Sequence, residues 1–177
     1  MNYKQIDDIT EYVLKLRLNG AEVKLYARFE RIKARQGKFF EMIENKSRDG
    51  LVVKKEYVTR DDVTKQLDWI ITLDNGRQMI MKDSTFKNKY KVFNEEEGLY
   101  ISKAIESFVQ VDDDIKFNAP WGEVLCINKG DYLNITNPSK IFGVKKDNFH
   151  KYYAECDANG KFVDELLNNN TQQELEK

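Results

Sequence analysis

The chain has 177 residues, enough for one large domain or two small ones with cores of their own. Hydrophobic residues at 41% and charged residues at 33% are the balance of a soluble globular protein, and a net charge of −1 argues against nucleic-acid binding over the whole surface. No apolar run reaches the roughly 20 residues that span a bilayer, and Asp7, Asp8 and Glu11 interrupt the place where a secretory leader is apolar, so a cytoplasmic protein without membrane contact is expected.

Residues 3–18 predict an amphipathic helix, because Ile6, Ile9, Val13 and Leu16 recur at spacings of three and four and share one face. Asn19-Gly20 is a suitable stop. Residues 22–30 alternate as a half-buried strand does. Val23, Leu25, Ala27 and Phe29 point one way, and Lys24, Tyr26, Arg28 and Glu30 the other. A helix over 21–35 is the alternative, since no breaker precedes Gln36-Gly37. Residues 38–44 and 51–59 read as strands on either side of the turn Ser47-Arg48-Asp49-Gly50.

Residues 68–73 and 77–82 read as a hairpin, because Asn75-Gly76 readily supplies the positive φ angles of a tight turn. Asp83-Ser84 then caps a short helix with Phe86 and Tyr90 on one face. Residues 94–98 form an acidic loop and 101–111 resume regular structure. Asp112-Asp113-Asp114 is a solvated bend, and 115–118 and 123–128 are strands joined through Ala119-Pro120-Trp121-Gly122. A second hairpin turns at Asn137-Pro138-Ser139 and leads to a helix capped by Asp147 that carries Phe149 and Tyr153. Phe162, Val163, Leu166 and Leu167 suggest one docked turn before a frayed end from Asn168.

The two hairpin-plus-helix segments are versions of one another. An offset of 63 residues carries Asp68-Trp69 onto Asp131-Tyr132, Lys82 onto Lys145, Phe86 onto Phe149 and Tyr90 onto Tyr153. Repeats report architecture. A lone hairpin is marginal in water, and an aromatic-bearing helix folded across it supplies a small core. The expected fold is α+β and β-rich, with an N-terminal helix (1–20) and two tandem hairpin-plus-short-helix modules (21–93 and 94–156) related by an internal pseudo-repeat. A partly disordered tail (157–177) follows. The repeated aromatics read as core, Asp68 and Asp131 as turn or strand-entry hydrogen bonding, and Lys82 and Lys145 as solvated edges. The alternative is a ligand cleft between the copies, made by Asp68, Trp69, Lys82, Asp131, Tyr132 and Lys145.

The second copy reads Lys129-Gly130-Asp131-Tyr132-Leu133, then Ile141-Phe142-Gly143-Val144-Lys145, then Phe149 and Tyr153. It resembles a family of bacterial and phage proteins named for a Pro-Gly-Asp-Tyr-Gly motif (PGDYG-like). Lys129 replaces the motif's Pro, Leu133 its last Gly, and in the first copy Leu67 stands at the place of Gly130. The resemblance implies a β-rich module in a bacterial, phage or mobile-element setting. It carries over no catalytic residue.

Signatures of catalysis are missing. There is no Gly-x-Ser-x-Gly elbow, no phosphate loop, no dinucleotide fingerprint, and no metal-ligand spacing around Cys126 or Cys156. The cysteines read as buried reduced thiols, with a disulfide between them as the alternative. His150, whose place in the first copy holds Lys87, reads as a surface residue. Charge is segregated: residues 23–55 carry ten basic and four acidic side chains, and residues 94–126 two basic and eight acidic. Arg28, Arg31, Lys33 and Arg35, near Tyr26 and Phe29, form a candidate contact set suited to phosphate backbone, unless the two charged segments neutralise each other within the molecule. The reading leans away from an enzyme and invokes no cofactor and no metal. It favours a bacterial or phage binding protein, an inhibitor or accessory factor, whose partner is first a protein and second a nucleic acid bound by the basic segment. A nucleotide-handling enzyme or small-ligand sensor with a cleft between the repeats is the alternative.

Overall fold

The computed structural model describes residues 2–51 and 53–168. In chain order the elements are β1 (Lys4–Gln5), α1 (Ile9–Leu18), β2 (Lys24–Arg28), β3 (Arg31–Gln36), β4 (Met42–Lys46), β5 (Val53–Tyr57), β6 (Trp69–Thr72), β7 (Gln78–Met81), α2 (Asp83–Lys89) and β8 (Tyr90–Asn94). Then follow β9 (Leu99–Ser102), β10 (Ile105–Gln110), β11 (Ile115–Asn118), β12 (Val124–Ile127), β13 (Tyr132–Asn134), β14 (Phe142–Val144), α3 (Lys146–Tyr152) and β15 (Tyr153–Glu155). The fold is β-rich α+β.

The chain divides into two compact units. A terminal unit combines Met1–Arg28 with Ala104–Asn170, and a central unit is built on Phe29–Lys103. The chain passes from one to the other at Arg28/Phe29 and returns at Lys103/Ala104.

The terminal unit holds a five-stranded sheet in the order β14-β13-β10-β2-β15 and a three-stranded sheet in the order β1-β11-β12. The apolar face of α1, Val13 and Leu16 with Ile6 beside it, packs on Val109, Val111, Ile115, Phe117, Ile127, Leu133 and Ile141. A second cluster joins Tyr26, Phe108, Tyr132, Phe149 and Tyr153. The central unit holds a five-stranded sheet in the order β7-β6-β3-β9-β8 and the β4–β5 hairpin. Ala34, Ile71 and Phe86 form one cluster with Trp69, Tyr90 and Tyr100; Ile43, Val58 and Ile70 form another with Leu67 and Ile80.

Several sequence expectations are corrected here. The first helix begins at Ile9, because the Asp8 side chain accepts the Glu11 N–H as an N-cap. Lys4 and Gln5 pair instead in parallel with β11. Residues 31–36 form a strand, β3, and no helix runs to 35. The strand expected over 38–44 starts only at Met42, since residues 38–41 form a turn. Tyr26, expected on the outward side of its strand, is 7% exposed, and Ala27 beside it is 4% exposed. The reason is that Tyr26 packs into the aromatic cluster of Phe108, Tyr132, Phe149 and Tyr153, while Lys24 and Arg28 on either side of it stay exposed. Cys126 is exposed, because edge strand β12 turns its neighbours Leu125 and Ile127 to the core; of the two only Cys156 is a buried thiol, and they form no disulfide. Near the C-terminus Phe162 is buried and bridged to Cys156, while Val163 and Leu166 are exposed. The expected frayed end falls, from 169 onward, outside the described residues.

Candidate functional site

The repeated aspartates hold helix starts and turns. In the terminal unit Asp131 is 5% exposed; its Oδ2 accepts the Asn128 N–H at 3.0 Å and its Oδ1 the N–H of Lys146, the first residue of α3, at 3.0 Å. One carboxylate therefore closes the turn and caps the helix, which displaces Asp147 from the expected capping role. In the central unit two carboxylates share these duties. Asp68 Oδ2 accepts from the Thr59 N–H at 2.9 Å and Thr59 Oγ1 at 3.1 Å, and its Oδ1 pairs with Lys82 at 3.2 Å. Asp61 Oδ2 accepts the Ser84 N–H at 2.8 Å and the Ser84 hydroxyl at 2.6 Å. Those bonds from Ser84, with the Val63 N–H, hold the Asp61 carboxyl well below the usual carboxylate range. Asp83, expected to cap α2, is fully buried and accepts the indole N–H of Trp69 at 2.8 Å and pairs with Lys87 at 3.0 Å. Burial opposes its ionisation, but hydrogen bonds from Trp69, Thr64 and Lys87 keep its pKa low.

The repeated aromatics are core in both units. Trp69 stacks on Phe86 at 4.1 Å and Phe86 on Tyr90 at 5.3 Å; Tyr132 stacks on Phe149 at 3.7 Å and Phe149 on Tyr153 at 5.1 Å. Edge-on rings close each stack, Tyr100 in the central unit and Tyr26 with Phe108 in the terminal one. Of the six cleft candidates, Asp68, Trp69 and Lys82 lie in the central unit and Asp131, Tyr132 and Lys145 in the terminal unit. Lys145 is exposed and precedes α3, and exposed His150 lies 3.3 Å from the Tyr132 hydroxyl.

The basic set is divided between the two units. Arg28 belongs to the terminal unit, where it donates to the Tyr153 hydroxyl at 3.1 Å and lies over that ring. Arg31, Lys33 and Arg35 alternate along β3 in the central unit. Arg31 lies 4.1 Å above the Phe93 ring, and Arg35 makes a two-armed ion pair with Glu41. The guanidinium, helped by the Lys38 N–H, holds the Glu41 pKa down to about 2. Among the described residues Lys33 has no carboxylate within ion-pair distance.

Two features went unread in the sequence. The first is the turn at Lys38-Phe39-Phe40-Glu41, closed by the bond from the Glu41 N–H to the Lys38 carbonyl. Phe39 and Phe40 are 55% and 65% exposed, with ring centroids 4.3 Å apart. Phe40 sits at φ 61, a left-handed conformation that glycine or asparagine adopts readily and a bulky residue adopts at a cost of roughly 1–3 kcal/mol. Met42 and Tyr57, paired across β4 and β5, extend the exposed apolar surface. Beside this turn a groove of about 410 Å³ is lined by Gln36, Trp69, Tyr100, Glu95, Glu96 and Glu97, among others.

The second feature is a polar knot in the terminal unit. Buried Asn134 donates to Glu106 at 3.1 Å and accepts from the N–H and hydroxyl of Thr136. Burial and then the Glu106 charge push the Tyr153 pKa up. The sequence signal was available: at the matching sheet positions of the central unit stand Ile71 and Ile32.

Comparison with family models, curated proteins and solved structures yields no match for this chain. Among the described residues no three His, Cys, Asp or Glu side chains converge as metal ligands, and no helix is long and apolar enough to cross a membrane. Chemically, the pinned aromatic turn can bury two rings against another surface without first ordering its own backbone.

Proposed function

We propose that this chain is a non-enzymatic binding protein that works through protein contacts, with the turn at Lys38-Phe39-Phe40-Glu41 as its anchor. The observation that carries the reading is that turn: two adjacent aromatic rings, more than half exposed, on strained backbone that Arg35 and Glu41 hold in place. Strain kept without a packing return marks a functional position more often than a structural one. Buried aromatics anchor protein interfaces, and a preorganised loop loses little entropy on binding. A bacterial or phage inhibitor or accessory factor fits this chemistry, in keeping with the resemblance to the Pro-Gly-Asp-Tyr-Gly family. The earlier contact set of Arg28, Arg31, Lys33 and Arg35 contributes chiefly Lys33, because the three arginines already serve Tyr153, Phe93 and Glu41.

The same reading takes the protein as a duplication with exchanged strands. Residues 24–94 and 99–155 follow one element order: two strands, a hairpin, a second hairpin, a helix and a last strand. Supporting it, Ala34↔Ile71, Arg35↔Ile70 and Gln36↔Trp69 in the central sheet match Phe108↔Asn134, Val109↔Leu133 and Gln110↔Tyr132 in the terminal sheet, at offsets of 74 and 63. The first strand of each copy goes to the other sheet: β2 pairs with β10 and β15, and β9 pairs with β3 and β8.

The test is photo-crosslinking. A benzophenone amino acid replaces Phe40 in the full chain, and irradiated cells are searched for adducts. The reading predicts a covalent adduct with a polypeptide. Adducts with nucleic acid alone, or none, would contradict it.

A further inference from the structure

We infer that the aromatic turn of the central unit docks into the acidic groove of a second copy of this chain, giving a reciprocal dimer. The inference rests on the proposed protein-contact function and names the partner.

The knob and the groove have opposite charge. Arg60 lies over the Phe39 ring at 5.9 Å and Lys38 opens the turn; among the described residues neither has a carboxylate within ion-pair distance. On the groove wall Glu95, Glu96 and Glu97 are exposed, and none has a cationic partner at that distance among the described residues. Arg35, also on the wall, is neutralised by Glu41, which leaves Lys33 against three glutamates. The groove presents Trp69 and Tyr100, both partly buried, so its chemistry suits an aromatic knob rimmed by cations.

The arrangement is self-complementary. Knob and groove lie in the same unit, and Gln36 on the groove wall is three residues from Phe39. A two-fold axis beside them lets each copy give a knob and receive one, as an isologous interface requires. The knob does not occupy its own groove, since both rings are solvent-exposed on a turn pinned by Glu41. Single-stranded nucleic acid fits less well, because Glu95, Glu96 and Glu97 on the groove wall repel a phosphate backbone. Four phenylalanine side chains with little more than half of their surface left to bury, even with a charged rim, fall below the roughly 1,200 Å² of a standard interface, so the dimer should be reversible and micromolar.

The experiment is sedimentation equilibrium of the full chain from about 1 to 200 μM, a range that brackets that affinity. The expected result is a monomer–dimer equilibrium that Phe39→Ser with Phe40→Gly abolishes. Glycine at the positive φ relieves strain, so circular dichroism and melting temperature should not fall. Glu95→Lys with Glu96→Lys and Glu97→Lys should weaken the dimer at least tenfold. Mixing that variant with Lys38→Glu/Arg60→Glu should restore a heterodimer, which a folding defect cannot explain. A monomer at every concentration, or a dimer unchanged by the phenylalanine pair, overturns the inference. So does binding of a fluorescent oligonucleotide that the phenylalanine pair abolishes. A cross-link from position 40 to a different polypeptide, with the chain monomeric, overturns the dimer and leaves the protein-contact function standing.

Discussion

The stacks Trp69–Phe86–Tyr90 and Tyr132–Phe149–Tyr153 have nearly the same geometry, yet they are held in different ways. In the terminal unit Phe149 meets Tyr26, Phe108, Tyr132, His150 and Tyr153. One carboxylate, Asp131, serves both turn and helix, and a polar knot of Asn134 and Glu106 sits where the central unit has isoleucines. In the central unit Phe86 meets only Trp69, Tyr90 and Tyr100 among described rings, and two carboxylates, Asp61 and Asp68, divide the work. The difference teaches that two similar aromatic stacks can be held by different polar supports.

The largest expected effect comes from removing the central ring of each stack. Phe149→Ala should cost about 5 kcal/mol and Phe86→Ala about 3, since the former leaves a cavity with more aromatic walls. Urea unfolding reads both, and equal losses would break the contrast between the stacks. The polar knot comes next. Asn134→Ala strips Glu106 of a donor in a buried setting and should cost about 2 kcal/mol. The double change Glu106→Ile with Asn134→Ile copies the central unit and should return stability to within about 1 kcal/mol of the parent, because the Thr136 N–H and hydroxyl that lose Asn134 belong to an exposed residue and turn to water. A double-mutant cycle without that recovery would show that the knot is not an isolated pair.

A smaller effect is expected at Gly143. A Cβ there would come within 2.2 Å of Ile127 Cδ1, so Gly143→Ala should cost about 1–2 kcal/mol as Ile127 shifts; the matching position of the central unit accommodates Ile80. The melting temperature measures it. The smallest effect is pH-dependent. The Asp61 carboxyl lies below its ordinary value of 3.8 when folded. Its contribution is therefore complete above that value and is lost as pH falls through the lower folded value. Fluorescence of Trp69, bonded to Asp83 beside α2, should report loosening of the central unit in acid. Asp61→Asn should flatten that acid limb; an unchanged limb would assign it to other carboxylates.

Much of this was legible before any coordinates. Asn75-Gly76 announced its hairpin, Ile115–Asn118 was read to the residue, and the Asp–aromatic–Lys–Phe–Tyr spacing located both stacks. Sheet membership was not legible. Nothing local to Tyr26 says that β2 leaves its sequence neighbour β3 for β10 and β15, so its alternation was read as half-exposed. Helix capping was misread because the capping carboxylate arrives from a distance, Asp61 at Ser84 across 23 residues. The aromatic turn was missed for a different reason: Phe39-Phe40 favours a strand by propensity, and only the positive φ at Phe40 puts both rings in solvent.

The central proposal is that two copies of one module have exchanged their first strands. Cross-strand nuclear Overhauser contacts in the labelled full chain test it most directly. The account predicts contacts between Tyr26 and Glu106 and between Tyr100 and Ile32. Pairing of β2 with β3, or of β9 with β10, would contradict it.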